Sequence, residues 1–189
     1  MKKILIPAFV LMCVAQWLVP AHMIGLQEAI ATTGKRFNFE TRPVDPTDPF
    51  RGAYVTLSFT EEEYKVTDGT TYNYGEEIYV SLRDSAGYAR IAGLSKTPPA
   101  GDYVKAEVGY LDSDNSVHVY FPFTRFYMEE TKAPDAEIAY RDTNRNDSTQ
   151  HAYAVVGVLE GESALLDVMI NGRSLVDVSR EYAATGKLP

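Results

Sequence analysis

The sequence predicts a single, mainly β domain, barrel- or sandwich-like, that follows one N-terminal transmembrane helix. Three observations predict this class: an almost wholly apolar N-terminal segment, a period-two alternation of apolar and polar residues further on, and turn-forming pairs between the alternating segments. With 189 residues, of which 45% are hydrophobic, the chain is long enough for an anchor and one domain, whereas two full domains would be crowded.

Residues 4–26 are the predicted membrane anchor. Only Gln16 and His22 interrupt the apolar run, and a helix of this length reaches about 34 Å, enough to cross a bilayer. Lys2 and Lys3 precede the run, so the positive-inside rule predicts that the rest of the chain lies outside the cytoplasm. The expected location is the bacterial inner membrane, with a single pass and a periplasmic C-terminal domain.

Two other interpretations of the N-terminus are weaker. A cleaved signal peptide needs small residues at a cleavage site after the apolar run, and the best match is Ala29-Ile30-Ala31, but Trp17, Pro20 and His22 are more typical of the interfacial end of a membrane helix. A lipoprotein would use Cys13, but Met12 stands where a small residue is expected. Because Cys13 is the only cysteine, the domain is expected to have neither a disulfide nor a thiolate metal site.

The anchor helix is expected to continue to Gly34, a glycine suited to a left-handed helix end. Pro43, Pro46 and Pro49 then favour an extended approach to the domain. The predicted organisation is an anchor with its helical extension over residues 1–35, the exported domain over residues 36–180 and a polar, poorly structured tail over residues 181–189.

Alternation predicts the strands of the domain. In the first, Val55, Leu57 and Phe59 share one face. The predicted strands are residues 54–59, 78–82, 88–94, 103–110, 117–121, 151–159 and 163–170. Residues 112–115 predict a hairpin turn, and Asn171-Gly172 gives the strongest two-residue hairpin signal, so the domain is expected to end in a β-meander. One short helix is expected over residues 134–141.

A short pattern occurs twice. Residues 49–55 and 98–104 share proline, glycine, tyrosine and valine at matching positions. A duplicated strand unit and coincidence are equally good explanations, because proline and glycine before a strand are ordinary turn chemistry.

The first of these segments, Gly52-Ala53-Tyr54-Val55-Thr56-Leu57-Ser58-Phe59, resembles the motif of the GDYXXLXY family of membrane-anchored bacterial proteins. Alanine replaces the aspartate, and phenylalanine replaces the last tyrosine. The second segment keeps Gly101-Asp102-Tyr103 but has other residues at the later positions. The resemblance would cover nearly the whole chain. It implies no reaction, since the family's function is uncharacterised, but it implies a polytopic membrane protein as partner.

Composition and residue spacing argue against a nucleic-acid partner and against a metal site. The net charge of −8 disfavours nucleic acid as a partner. His118 and His151 stand without ligand spacing, and His118 is expected to be exposed on its strand. Residues 142–147 only partly match a calcium loop. No metal and no cofactor is expected.

Catalysis has one candidate, Ser58 with Lys65, a serine/lysine pair like that of membrane-bound signal peptidases. Ser58 lies on a strand where solvent-facing serines are common, so this is the weaker hypothesis. The run Glu61-Glu62-Glu63 is expected to be solvated.

The leading hypothesis is a noncatalytic, membrane-tethered domain that serves as an interaction subunit of another membrane protein. The alternatives are a membrane-bound hydrolase and a small-ligand or glycan binder, which the 13 tyrosines would suit. The candidate contact surface is Asp48, Arg51, Tyr54 and Glu130, because Arg51 interrupts an acidic, proline-rich approach and must find a carboxylate or solvent.

Overall fold

The computed structural model describes the backbone of residues 2–42, 54–112, 114–127 and 152–185. Within these ranges, the side chains of residues 2–5, 8, 10, 54 and 182–185 are outside the description.

Two helices and twelve strands make up the described part of the chain. In order they are α1 (Lys2–Thr33), β1 (Lys35–Arg42), β2 (Tyr54–Thr56), β3 (Ser58–Phe59), β4 (Glu63–Lys65), β5 (Glu77–Ser85), β6 (Tyr88–Ser95), β7 (Tyr103–Leu111), β8 (Ser116–Tyr120), β9 (Arg125–Tyr127), β10 (Ala152–Leu159), β11 (Glu162–Ile170), β12 (Arg173–Ser174) and α2 (Leu175–Thr185).

The fold is mainly β, as predicted, with a near-closed, barrel-like five-stranded sheet. One five-stranded sheet has the order β12-β11-β10-β1-β3, a second has the order β4-β8-β7-β5-β6, and β2 pairs with β9. Neighbouring strands in all three are antiparallel. An isolated bridge between Val104 of β7 and Gly161, in the turn before β11, joins the two larger sheets.

Both large sheets contribute to one hydrophobic core. At its centre, the rings of Phe39, Phe59, Phe121 and Phe123 pack with centroid separations of 4.9 to 6.1 Å. The predicted apolar face of the first strand is confirmed, since Val55, Leu57 and Phe59 are all buried. Burial of such rings is the main source of stability in a domain without disulfides.

The first predicted strand is interrupted at Leu57. β2 pairs with β9, whereas β3 pairs with β1. Between them, the Leu57 amide donates a hydrogen bond of 2.8 Å to the Thr124 carbonyl. The alternation survives because the chain stays extended, but it changes partner strand and so links the β2–β9 pair to the first sheet.

The remaining predicted strands with described residues are confirmed to within a few residues, as are their hairpins. Asn171 and Gly172 have φ of 50° and 78°, the left-handed pair that a two-residue turn requires, and they connect β11 to β12. Glu160 and Gly161 form the corresponding turn between β10 and β11. Asn115, with φ of 65°, lies in the turn between β7 and β8.

Helix α1 ends where the sequence predicts, but for a different reason. The Gly34 amide donates a 3.0 Å bond to the Ile30 carbonyl, and φ of Gly34 is not in the left-handed region. A Cβ at position 34 would instead clash with the Ile30 carbonyl oxygen. Glycine is therefore required by the close approach of the backbone.

The membrane span was predicted over residues 4–26, inside α1. Among the residues that the structure describes, no helix is long and apolar enough to cross a membrane.

The C-terminus differs from its prediction, because α2 follows the β-meander and includes residues 181–185 of the expected tail. Leu175, Val178 and Ser179 are buried on one face of the helix. The Ser174 hydroxyl caps its first turn by accepting a 3.3 Å bond from the Val176 amide. The helix expected over residues 134–141 lies outside the described residues.

Candidate functional site

Of the four residues of the predicted contact surface, the structure describes one, Tyr54. Tyr54 begins β2, where its backbone pairs with Tyr127 of β9. Asp48, Arg51 and Glu130 lie outside the described residues. His151 and the calcium-like segment 142–147 also lie outside them.

Ser58 and Lys65 are each paired with a different carboxylate. The Ser58 hydroxyl donates a hydrogen bond of 3.0 Å to Oε2 of Glu62. The Lys65 ammonium lies 3.5 Å from Oδ2 of Asp114, and its side chain is 65% exposed. An exposed, ion-paired lysine is a poor general base, because catalytic lysines need burial to shed their proton. The geometry does not favour the serine/lysine hypothesis.

Glu62 is buried, which corrects the expectation that the Glu61–Glu63 run is solvated. Only 9% of the residue is exposed. Its carboxylate accepts a 2.7 Å bond from the Phe59 amide as well as the Ser58 hydroxyl bond. The guanidinium of Arg42 lies 3.8 Å away. Buried carboxylates need such donors, so Glu62 fixes the bend between β3 and β4.

His118 contacts the same carboxylate, with Nε2 at 3.5 Å from Oε2 of Glu62. The expectation of an exposed histidine is wrong, since its side chain is only 12% exposed. Tyr110 stacks on the imidazole at 4.4 Å, and Tyr120 meets it edge-on at 5.1 Å. The alternation of residues correctly predicts the strand face on which His118 lies, but the neighbouring tyrosines cover that face.

Glu61 belongs to a second charge cluster. The guanidinium of Arg90, on β6, lies 3.3 Å from both Glu61 and Glu40. Oε2 of Glu61 also accepts a 3.3 Å bond from the Ile91 amide. Consecutive glutamates thus tie the bend before β4 to both large sheets, a structural role that leaves neither carboxylate available for acid–base work.

The residues that resemble the family motif are mainly structural in this chain. Leu57 and Phe59 belong to the core. In the second, partial copy of the motif, Asp102 forms a 2.5 Å ion pair with Lys35, the first residue of β1. Tyr103 follows and packs against Tyr79 with ring centroids 5.7 Å apart. This copy therefore supports the junction between α1 and the domain.

A cleft of about 600 Å³ lies beside the bridge that joins the two large sheets. Its walls include Glu77 of β5, Lys105 and Glu107 of β7, Tyr120 of β8 and Glu162 of β11. Gln27 of α1 also lines it. No sequence pattern predicted this cleft, because the residues that line it come from strands that are far apart in the chain.

Among the described residues that line the cleft, Lys105 is the one basic residue, and it is already paired. Its ammonium donates a 2.5 Å hydrogen bond to Glu162. That bond raises the pKa of Lys105, against a smaller lowering by burial, and the charges of Glu162, Tyr79 and Glu77 raise it further. The described lining therefore has more carboxylates than ammonium groups.

The described residues include exposed aromatic side chains but no metal-binding cluster. Among the described residues, no group of histidine, cysteine and acidic side chains could hold a metal ion. Ser58, the described serine considered as a nucleophile, donates to a carboxylate that several other groups also contact. What the surface offers instead is exposed aromatic area, at Tyr74, Tyr110, Tyr120 and Tyr127.

The comparisons with known proteins agree with the sequence resemblance. The family model described as GDYXXLXY protein matches residues 16–168, which is most of the chain and extends from the second half of α1 into β11. Neither the search of curated proteins nor the search of solved structures found a match.

Proposed function

Because the chain belongs to the GDYXXLXY family, we propose that it is a noncatalytic envelope domain, tethered to a membrane, that acts as an accessory subunit of another membrane protein. The observation that carries the proposal is the close packing of the end of α1 against the sheets, without a linker between the helix and the domain.

Three features join α1 closely to the domain. β1 begins immediately after Gly34, so no linker separates it from α1. Ile30 is fully buried, and its carbonyl and Cγ2 approach β10 so closely that a Cβ at Gly157 would lie 3.0 and 3.1 Å from them. Lys35 then pairs with Asp102. A simple tether would need none of this, because a flexible linker is enough to hold a domain near a membrane.

The side chains along the rest of α1 are suited to apolar surroundings. Its large hydrophobic side chains are exposed on more than one face, as lipid or a partner helix would require. A shallow apolar groove of about 520 Å³ runs along it, lined by Phe9, Cys13, Val14, Trp17, Leu18 and Ala21. We propose that residues 4–26 anchor the chain in the bacterial inner membrane. The two N-terminal lysines favour a periplasmic domain.

Gentle detergent extraction of the tagged full-length protein from its own membrane, followed by mass spectrometry, tests the proposal. We expect a polytopic membrane protein to co-purify in stoichiometric amount. A clean monomer would contradict the subunit role and would favour a small-ligand or glycan binder. Alkaline carbonate washing of the same membranes tests the anchor separately, because an anchored protein stays in the pellet.

The contact surface of Asp48, Arg51, Tyr54 and Glu130 remains part of the proposal. Arg51→Ala should lower partner recovery without lowering stability, because a cation in an acidic approach is suited to pairing with a carboxylate of a partner. Arg180→Ala is the matched control, since Arg180 is an exposed residue of α2 whose 3.2 Å pair with Asp177 is local. Equal recovery from both variants would remove Arg51 from the surface.

A further inference from the structure

The cleft between the two large sheets carries an unbalanced charge. Glu77 and Glu107 are direct cross-strand partners on β5 and β7, and both are exposed. Like charges opposite each other on one face of a sheet oppose folding. Within the part of the chain that the structure describes, neither carboxylate has an ion pair.

Lys105 forms its ion pair with neither member of this pair. Lys105 lies two residues before Glu107 on β7, but its ammonium donates a 2.5 Å hydrogen bond to Glu162 across the cleft. The described lining of the cleft therefore has three carboxylates, Glu77, Glu107 and Glu162, and one ammonium group. Glu77 acts on Lys105 only through its charge, without an ion pair, so a cation entering the cleft would find more negative than positive charge among the described residues that line it.

An aromatic platform completes the row. Tyr120 of β8 is the cross-strand partner of Glu107, so Glu77, Glu107 and Tyr120 stand side by side on three adjacent strands. The tyrosine is 43% exposed and lines the cleft. A ring beside carboxylates suits an ammonium or guanidinium group, which is attracted to the face of the ring and to the negative charge together.

We propose that this cleft binds a lysine or arginine side chain on an extended basic segment of the partner protein. The proposal rests on the proposed subunit function and names one of its contact surfaces. Charge complementarity selects the occupant, because the cleft is acidic and about 600 Å³ in volume, which fits a long cationic side chain with the backbone beside it. An acidic or neutral segment would leave the Glu77 and Glu107 pair unbalanced.

The test uses full-length protein in detergent and a fluorescent lysine–glycine repeat peptide, with the glutamate–glycine repeat as the control peptide. The double variant Glu77→Gln and Glu107→Gln should bind the lysine peptide about fivefold more weakly, the loss expected for two exposed charge pairs. It should also melt at a higher temperature, since the cross-strand repulsion is gone. Weaker binding by a more stable protein cannot result from misfolding.

Glu63→Gln is the matched variant, because it removes one exposed glutamate from β4 outside the cleft. It should leave peptide affinity unchanged. Equal losses in both variants would show that only bulk negative charge matters, and unchanged affinity in the double variant would show that the cleft does not bind the peptide. Either result overturns the inference.

Two further outcomes separate this inference from the subunit function. Tight binding of free spermidine, with displacement of the peptide at equal concentration, would assign the cleft to a small cation and overturn the inference. If the double variant still recovers the polytopic partner from membranes in full, the partner uses another surface, so the inference fails while the subunit function stands.

Discussion

The Ser58 hydroxyl donates a hydrogen bond of 3.0 Å to Oε2 of Glu62, four residues further along the chain. The same carboxylate accepts a 2.7 Å bond from the Phe59 amide, which is buried. The first glutamate of the triplet, Glu61, contacts Arg90 instead. The bend between β3 and β4 is therefore held by carboxylates that the sequence predicts to be exposed to solvent.

Glu62→Ala should lower the free energy of unfolding by about 2–3 kcal/mol, because it leaves the buried Phe59 amide without an acceptor and removes a charged partner from Ser58. Urea unfolding followed by circular dichroism measures the change. Glu63→Ala is the control and should change stability by less than about 0.5 kcal/mol, since its side chain is exposed. Similar effects of the two substitutions would refute a structural role for Glu62.

Ser58→Ala and Lys65→Ala should both retain function in a complementation test. Ser58→Ala should cost about 1 kcal/mol of stability through the lost hydrogen bond to Glu62. Lys65→Ala should be nearly neutral because its ion pair with Asp114 is exposed on both sides. Loss of function in both variants, with folded protein, would instead restore the hydrolase hypothesis.

The local rules succeeded where the signal lies within a few residues. Alternation located Val55, Leu57 and Phe59 on the buried face, and Asn171-Gly172 has the backbone that its type predicts. The break at Leu57 was not predictable in the same way. Which strand each half pairs with depends on β1 and β9, and β9 is far away in the sequence.

The expected exposure of His118 was wrong because alternation does not predict which side chains cover a strand face. His118 lies on the face that alternation predicts, yet it is enclosed by Tyr120 on its own strand and by Tyr110 on the paired strand β7. The helix α2 did have a local signal. Ser174 with Asp177 three residues later is a capping pattern, followed by buried Val178 at helical spacing.

Lys96→Met should raise the pKa of Glu76 towards its ordinary value of 4.5. The hydrogen bond from Lys96, at 2.6 Å, is the largest cause of its depressed pKa, followed by the bond from the Asn73 amide. A carboxyl group with a depressed folded pKa adds stability above the unfolded pKa, and that stability is lost as pH falls through the folded pKa. The variant should therefore be less acid-sensitive below about pH 4.5.

Carboxyl carbon NMR titration measures the pKa of Glu76 directly. Asp114 is the internal control, because hydrogen bonds from Ser116 are the main cause of its lowered pKa and Lys96 is not among them. Its pKa should be the same in both proteins. An unchanged pKa of Glu76 in the variant would show that the lysine pair does not form in solution.

Gly157→Ala tests the junction between α1 and the sheet. The added methyl group would lie 3.0 Å from the Ile30 carbonyl oxygen and 3.3 Å from Cδ1 of Leu166, so either the helix end or β10 must move. Overpacking of this kind should destabilise the protein by about 1–3 kcal/mol. Gly93→Ala is the matched control: this glycine of β6 has open space around its Cβ position and no left-handed φ, so alanine should be neutral or slightly stabilising. Thermal unfolding measures both variants.

If the junction also sets the direction of α1, Gly157→Ala should reduce partner recovery more than an equally destabilising core variant such as Val168→Ala, which is buried in β11. Equal recovery from the two would show that only overall stability matters, and that the fixed helix direction has no part in assembly.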